Sequence, residues 1–483
     1  MSIDHFQNVF RSQSIGSSRR DFLRAAAGGF GSLALTAMMA GECRGANVPL
    51  PKAKRVIQIF CPGGLSQVDT FDYKPELERR AGMPFDPDGK LTFFASKPGN
   101  CRPGYWPFRQ HGESGLWMSD LLPKLANCID DIAFIYSMHS KTALHGPACF
   151  MMNTGFTLPG FPSMGAWVTY GLGSEADDLP AFVVLPDPRG LPPGGVINWG
   201  AGFLPAQHQA TTLDLANSAR PIADLFPSTN FPEVTPEGDR AGLEFLDRLN
   251  RLHQDSRRET SELEARIKAY EMAARLQLSA PEVTDLSRET AETAALYGLD
   301  DPEIGPFGRQ CLLARRLAQR GVRFVQIYCG AENTTAKKIR PNWDSHEDLP
   351  RDHGYWGAVL DTGSAALLTD LKRQGMLDDT LVICTTEFGR QPAAQGTDGL
   401  GRDHNAGAFT AWMAGGGIKG GVGYGATDEL GFAAVESPAY CYDLHATALH
   451  LLGVDHTKLT YYHNGIERRL TDVHGQVLTE LLA

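Results

Sequence analysis

The chain has 483 residues, with 45 Lys and Arg against 56 Asp and Glu, for a formal net charge of −11. No basic stripe offsets that balance, which argues against a nucleic-acid-binding protein and against non-specific adhesion to anionic lipid or polysaccharide. The length suits one large α/β domain with insertions, or two domains.

The first informative segment is Ser17-Ser18-Arg19-Arg20-Asp21-Phe22-Leu23-Arg24, followed by an Ala/Gly-rich apolar stretch, Ala25–Ala40. That stretch is too short and too rich in glycine to be a good membrane span. A charged start, a modest apolar run and small residues after it make an export signal. The paired arginines point to the twin-arginine export machinery as a partner, and that route moves proteins already folded. The protein is therefore expected in the periplasm or outside the cell, cut after Ala40 or Ala46, with no stable membrane span in the mature chain. The alternative is a first helix that is kept, as an amphipathic segment or an anchor. Residues 1–46 hold five Arg and three acidic residues, so the remainder is more acidic than the whole. Nine cysteines are scattered along the chain without paired metal-type spacing. Most lie in apolar runs and read as buried thiols, with one or two disulfides allowed but not assigned.

Lys54–Cys61 (KRVIQIFC) is apolar and β-branched and stops at Pro62-Gly63-Gly64, so it predicts a buried strand and a tight loop. In that loop Ser66, Asp69 and Asp72 can supply a nucleophile, oxygen ligands or hydrogen bonds. The plainer reading is a glycine turn with an aspartate capping the next helix. Asp131–Ser137 predicts a second strand. It leads into Met138–Ala148, where His145 can act as metal ligand, base or nucleophile, with Thr142 as a fallback nucleophile. A histidine serving structure alone is the bland alternative.

Ala181–Pro186 is a third strand candidate, and residues 187–235, rich in Pro, Gly and Asn, read as a long ordered loop region. Pro236–Leu299 is charged and low in Gly and predicts two or three amphipathic helices, an insertion or cap. A helical pattern over Phe307–Arg320 precedes a strand over Val322–Cys329. Asp344 and His346 then lie two apart in a polar loop and can converge on one cation, for which Zn, Mn or Fe suit better than Ca alone. A helix over Tyr355–Gly375 precedes the strand Thr380–Thr386, after which come Glu387 and Arg390. Gly401–Asn405 adds Arg402, Asp403 and His404. Arg390 and Arg402 can fork onto a tetrahedral anion, or each can sit in an ion pair.

Strands that are apolar throughout and alternate with helices imply a mostly parallel sheet covered on both faces. In such sheets ligands gather at the carboxyl ends of the strands. His145, Asp344, His346, Glu387, Asp403 and His404 are therefore expected on one edge, as candidate metal and catalytic residues.

These segments resemble the alkaline phosphatase–sulfatase superfamily. Tyr355–Gly389 resembles its helix, turn and strand ending in a metal loop. Asp443–Val454 (DLHATALHLLGV) resembles its late helix, and His145–Gly155 (HGPACFMMNTG) its nucleophile signature. The twin-arginine leader with GGLSQVDTFD, WDSHEDL, EFGRQP and GRDHN is most similar to an uncharacterised family of exported sulfatase-like proteins, a domain of unknown function. The resemblance implies an alkaline-phosphatase-like α/β domain over residues 47–483, helices on both faces of its sheet and a helical insertion at about 236–299. It also implies a divalent metal ion (Zn, Mn or Ca) and a sulfated or phosphorylated carbohydrate as substrate.

This chain departs from the superfamily pattern. Cys61-Pro62-Gly63-Gly64 stands where a first-strand carboxylate binds metal, His145 where the nucleophile stands, and Glu387-Phe388 where an Asp-His pair stands. The residues and the resemblance together make Asp344, His346, His404, Glu387, Asp403 and Asp69 the metal candidates, and His145, Thr142, Ser66, Arg390 and Arg402 the catalytic ones. The leading expectation is an exported hydrolase of sulfate or phosphate esters with a divergent site. The alternatives are a non-catalytic binding or scaffold member of the fold and a metalloenzyme of another reaction class.

Overall fold

The computed structural model describes residues 49–483, apart from 90, 92–96, 177, most of 216–282, 333–338 and 398. The expected leader and most of the expected helical insertion lie outside the described residues. The described end of the insertion contains a short 3-10 turn, Leu286–Arg288, and a helix, Ala291–Leu296.

The central sheet has eight strands: β1 (Arg55–Phe60), β2 (Ile132–Met138), β3 (Phe182–Leu185), β4 (Thr211–Thr212), β5 (Phe324–Tyr328), β6 (Thr380–Thr385), β7 (Phe409–Ala414) and β8 (Val422–Tyr424), in the spatial order β8-β2-β7-β6-β1-β5-β3-β4. Every pairing is parallel except those of β7, which runs against both β2 and β6. The α/β class, with a mostly parallel central sheet, is as the sequence predicted. Five strands fall where its apolar runs placed them. β7 went unseen because Phe409–Ala414 has no helix ahead of it and follows a glycine-rich stretch.

β1 explains why both faces are covered. Val56 and Phe60 point into one apolar cluster, Ile57 and Ile59 into the other. Alternation on a strand sends successive side chains to opposite faces, so a run apolar at nearly every position needs two coverings. On one face lie the helices His145–Thr154, Met164–Leu172 and Cys441–Leu451, here α1, α2 and α5; on the other lie Gly305–Gln319 and Leu349–Arg373, here α3 and α4. α2 begins at Ser163, whose hydroxyl accepts from the Ala166 N–H, and α4 at Asp348, whose carboxylate accepts from the Arg351 N–H with Pro350 in the first turn.

No helix among the described residues is long and apolar enough to cross a membrane. All eight described cysteines are buried and free.

Candidate metal centre

The carboxyl ends of β1, β2, β5 and β6 open onto one edge of the sheet, and β7, running the other way, begins there. The loop before β7 therefore joins the loops after the parallel strands. A two-stranded ribbon fixes this join by pairing Gly389–Arg390 with His404–Asn405, Arg390 opposite His404.

At this edge three imidazoles meet one carboxylate oxygen. Asp344 Oδ1 lies 2.8 Å from His346 Nε2, 3.2 Å from His404 Nε2 and 3.3 Å from His145 Nε2. The Nε2 atoms of His346 and His404 are 3.0 Å apart. Among the described residues, His145, Asp344 and His404 have the spacing to hold a metal ion, as do His346, Asp403 and His404; the distances above bring Asp344, His346 and His404 equally close.

The far side of each ring is held by an acceptor. His145 Nδ1 donates to Glu387 Oε1 at 2.7 Å, His346 Nδ1 to Gln395 Oε1 at 2.7 Å, and His404 Nδ1 to the Ala143 carbonyl at 2.7 Å. A ring nitrogen that donates at Nδ1 leaves Nε2 as the lone pair in the neutral imidazole, the arrangement typical of metal-binding histidines. For His346 and His404 this puts two nitrogen lone pairs and a carboxylate oxygen around one point. A cation satisfies such a set; without one the lone pairs repel. The residues thus fit a divalent ion by the chemistry of their donors.

Three carboxylates, Asp344, Glu387 and Asp403, share the cluster with the guanidinium of Arg390. Burial alone would raise the Asp344 carboxyl, but the Arg390 charge, and then the three imidazoles around it, hold it far below the usual carboxylate range. Burial would lower His145, yet its bonds to Asp344 and Glu387 outweigh that and push it up to about 9. In the metal-free protein a proton on His145 thus supplies the positive charge between the two carboxylates. His404 is lowered to about 4, first by burial, against its closeness to Asp344 and with the charges of Arg390 and His145 adding to the effect.

Glu387 is fully buried and accepts from the Gly63 N–H at 2.8 Å as well as from His145. It orients the histidine and belongs to neither group with metal spacing. Phe388 packs against the rings of His145 and His404 at 4.9 and 4.6 Å between centroids.

Four expected residues have other places. Arg390 is fully buried; besides Asp344 at 2.6 Å, it donates to the carbonyls of Gly63, Gly64, Trp343 and Arg402. With its fork occupied by these acceptors it anchors the loops. Arg402 and Asp69 form a buried pair, Nε to Oδ2 at 2.8 Å, with both side chains fully inaccessible. Each is the other's counter-ion, and Asp69 lies outside both groups with metal spacing. Ser66 is buried and its hydroxyl donates to Asp69. Thr142 accepts from the Leu144 N–H at 3.2 Å. Neither hydroxyl is hydrogen-bonded to the cluster.

Sequence reasoning missed Gln395 and the Ala143 carbonyl. Gln395 sits in a bland Ala-Ala-Gln-Gly stretch with no distinguishing signal. The Ala143 role belongs to the backbone, which no side-chain pattern reveals.

Comparison with known proteins gives a family. No curated protein matches the sequence. Among solved structures, the lipoteichoic acid synthase LtaP from Listeria monocytogenes is 9% identical, with a TM-score of 0.37 over 85% of this chain and 74% of that one. A sulfatase from Pseudoalteromonas sp. is 12% identical, with a TM-score of 0.31 over 88% and 71%. A phosphonate monoester hydrolase from Silicibacter pomeroyi is 14% identical, with a TM-score of 0.33 over 69% and 68%. Likenesses this distant assign no chemistry. The family is clear, however: a model described as "Protein of unknown function (DUF1501)" matches residues 53–482, nearly the whole chain, and the protein belongs to that family.

Proposed function

We propose that this protein is an exported, metal-dependent hydrolase of sulfate or phosphate esters, with a ligand set of its own on an alkaline-phosphatase-like scaffold. The observation that supports it is the convergence of His346, His404 and His145 on Asp344 Oδ1, each ring held from behind at Nδ1. Asp344, His346 and His404 would hold the ion, with His145 facing the same carboxylate. A bound divalent ion supplies Lewis acidity toward an ester oxygen and makes water a nucleophile near neutral pH. Glu387 keeps the His145 ring in place, and Arg390 fixes Asp344 from the protein side. The paired arginines ahead of Ala25–Ala40 support export, and the motif resemblance supports a sulfated or phosphorylated carbohydrate as substrate.

A second reading, a metal-holding binding protein without turnover, is favoured by the hydroxyls: Ser66 is buried and donates to Asp69, and Thr142 accepts from the Leu144 N–H. One experiment separates the two. Metal content is measured on protein purified from its export compartment, beside an Asp344→Ala, His346→Ala double variant, and both are assayed on aryl sulfates and aryl phosphates. About one ion per chain, lost in the variant together with turnover, is the expected result. Metal without turnover leaves the binding protein, and no metal in a folded wild type overturns both.

A further inference from the structure

We propose that Gln395 is the positioning residue that makes this cluster a site for a borderline transition ion such as Zn, and a poor one for Ca or Mg. The inference rests on the metal reading given above and goes beyond it by naming the class of ion and the residue that selects it.

The donors facing the ion would be imidazole nitrogens and one carboxylate oxygen. Calcium takes six to eight oxygens and magnesium an octahedron of oxygens, whereas Zn and its neighbours accept nitrogen. The selection works only if the imidazoles present lone pairs, and that depends on what holds Nδ1. For His404 the holder is the Ala143 carbonyl, which can only accept, so backbone geometry sets its tautomer. For His346 the holder is a side chain, Gln395 Oε1 at 2.7 Å, while Asp403 Oδ1 stands back at 3.9 Å. Gln395 lies in the short strand Ala393–Gln395, which pairs with Pro98–Cys101, and its own N–H donates to the Gly401 carbonyl at 2.9 Å. That bond anchors the residue at the start of the segment leading to His404. Gln395 touches no ion itself; it acts by turning the His346 Nε2 lone pair toward Asp344 and His404.

The test uses the full mature chain in three forms: wild type, Gln395→Leu and Gln395→Glu. Ring-nitrogen NMR on the metal-free proteins reads the tautomer directly. Wild type and Gln395→Glu are expected to hold His346 with its proton on Nδ1, and Gln395→Leu to lose that preference. Competition titration then reads Zn and Ca affinity. Gln395→Leu is expected to bind Zn 10- to 100-fold more weakly, the loss typical for removing such an outer partner. Gln395→Glu is expected to match or exceed wild type, and Ca to bind weakly throughout. An unchanged His346 tautomer or unchanged Zn affinity in Gln395→Leu overturns the role of Gln395 while leaving the metal site intact. Tighter binding of Ca than of Zn by wild type overturns the assignment of ion class. A wild type that binds neither ion, with the tautomers as expected, overturns the metal reading and this inference with it.

Discussion

Arg390 and Arg402 are both fully buried at the same edge of the sheet, yet they serve different ends. Arg390 spends its donors on four carbonyls and Asp344 and so ties the loops after β1, β5 and β6 together. Arg402 neutralises Asp69 and donates to the carbonyls of Arg102, Pro103 and Gln391. A buried pair adds little net stability as a pair, but removing one partner strands a charge in the interior. Asp69→Ala is therefore expected to cost about 3–5 kcal/mol in urea unfolding. The double change Asp69→Leu, Arg402→Met is expected to recover part of that loss, because it leaves no buried charge unpaired. From sequence both arginines read as possible anion clamps. Type and position named them correctly as residues of this edge, but a guanidinium's role depends on which acceptors surround it, and those come from loops hundreds of residues apart.

At the scale of elements, the site depends on how closely the loop after β1 passes the loop after β5. Gly63 has φ +110°, and a Cβ there would lie 2.5 Å from the Asp344 backbone nitrogen and 2.7 Å from that of Trp343. Backbone cannot yield as a flexible side chain can. Gly63→Ala is expected to destabilise the protein by at least the ~1–3 kcal/mol of its strained backbone. It is also expected to push Asp344 out of register with the three histidines. Calorimetry with and without added Zn checks this: the metal-induced rise in melting temperature should shrink or vanish in the variant. The glycine pair and the strand before it were legible in the sequence, since an apolar β-branched run ending in Pro-Gly-Gly has few other readings. The parallel sheet was legible for the same reason. Less visible was β7, whose reversal delivers His404 to the site. The sequence placed His404 at the right edge for an incomplete reason, because it lies before an antiparallel strand rather than after a parallel one.

Over the whole molecule, burial of neutral histidines on both faces of the sheet links stability to pH. His445 on α5 donates from Nε2 to the Met152 carbonyl of α1 at 2.9 Å, and its Nδ1 is buried without a partner. Burial lowers it to about 4. On the opposite face His353 of α4 packs edge-on against Trp343 and accepts the Ser66 N–H, and burial lowers it well below its ordinary value. The unfolded chain protonates both near pH 6.5. Their stabilisation is thus complete above about 6.5 and is lost as pH falls toward the folded values, because there the unfolded state binds protons that the native state excludes. For His445, a gap of about two and a half units corresponds to roughly 3 kcal/mol between pH 7 and pH 4. Urea unfolding at pH 7, 6 and 5 should show stability falling with acidity. His445→Gln can still donate to the Met152 carbonyl but takes up no proton, so its slope should be shallower by up to one proton. An equal slope in wild type and variant would mean that His445 already carries a proton in the folded core. A charge would then lie between α1 and α5, in the layer that presents His145 to the site.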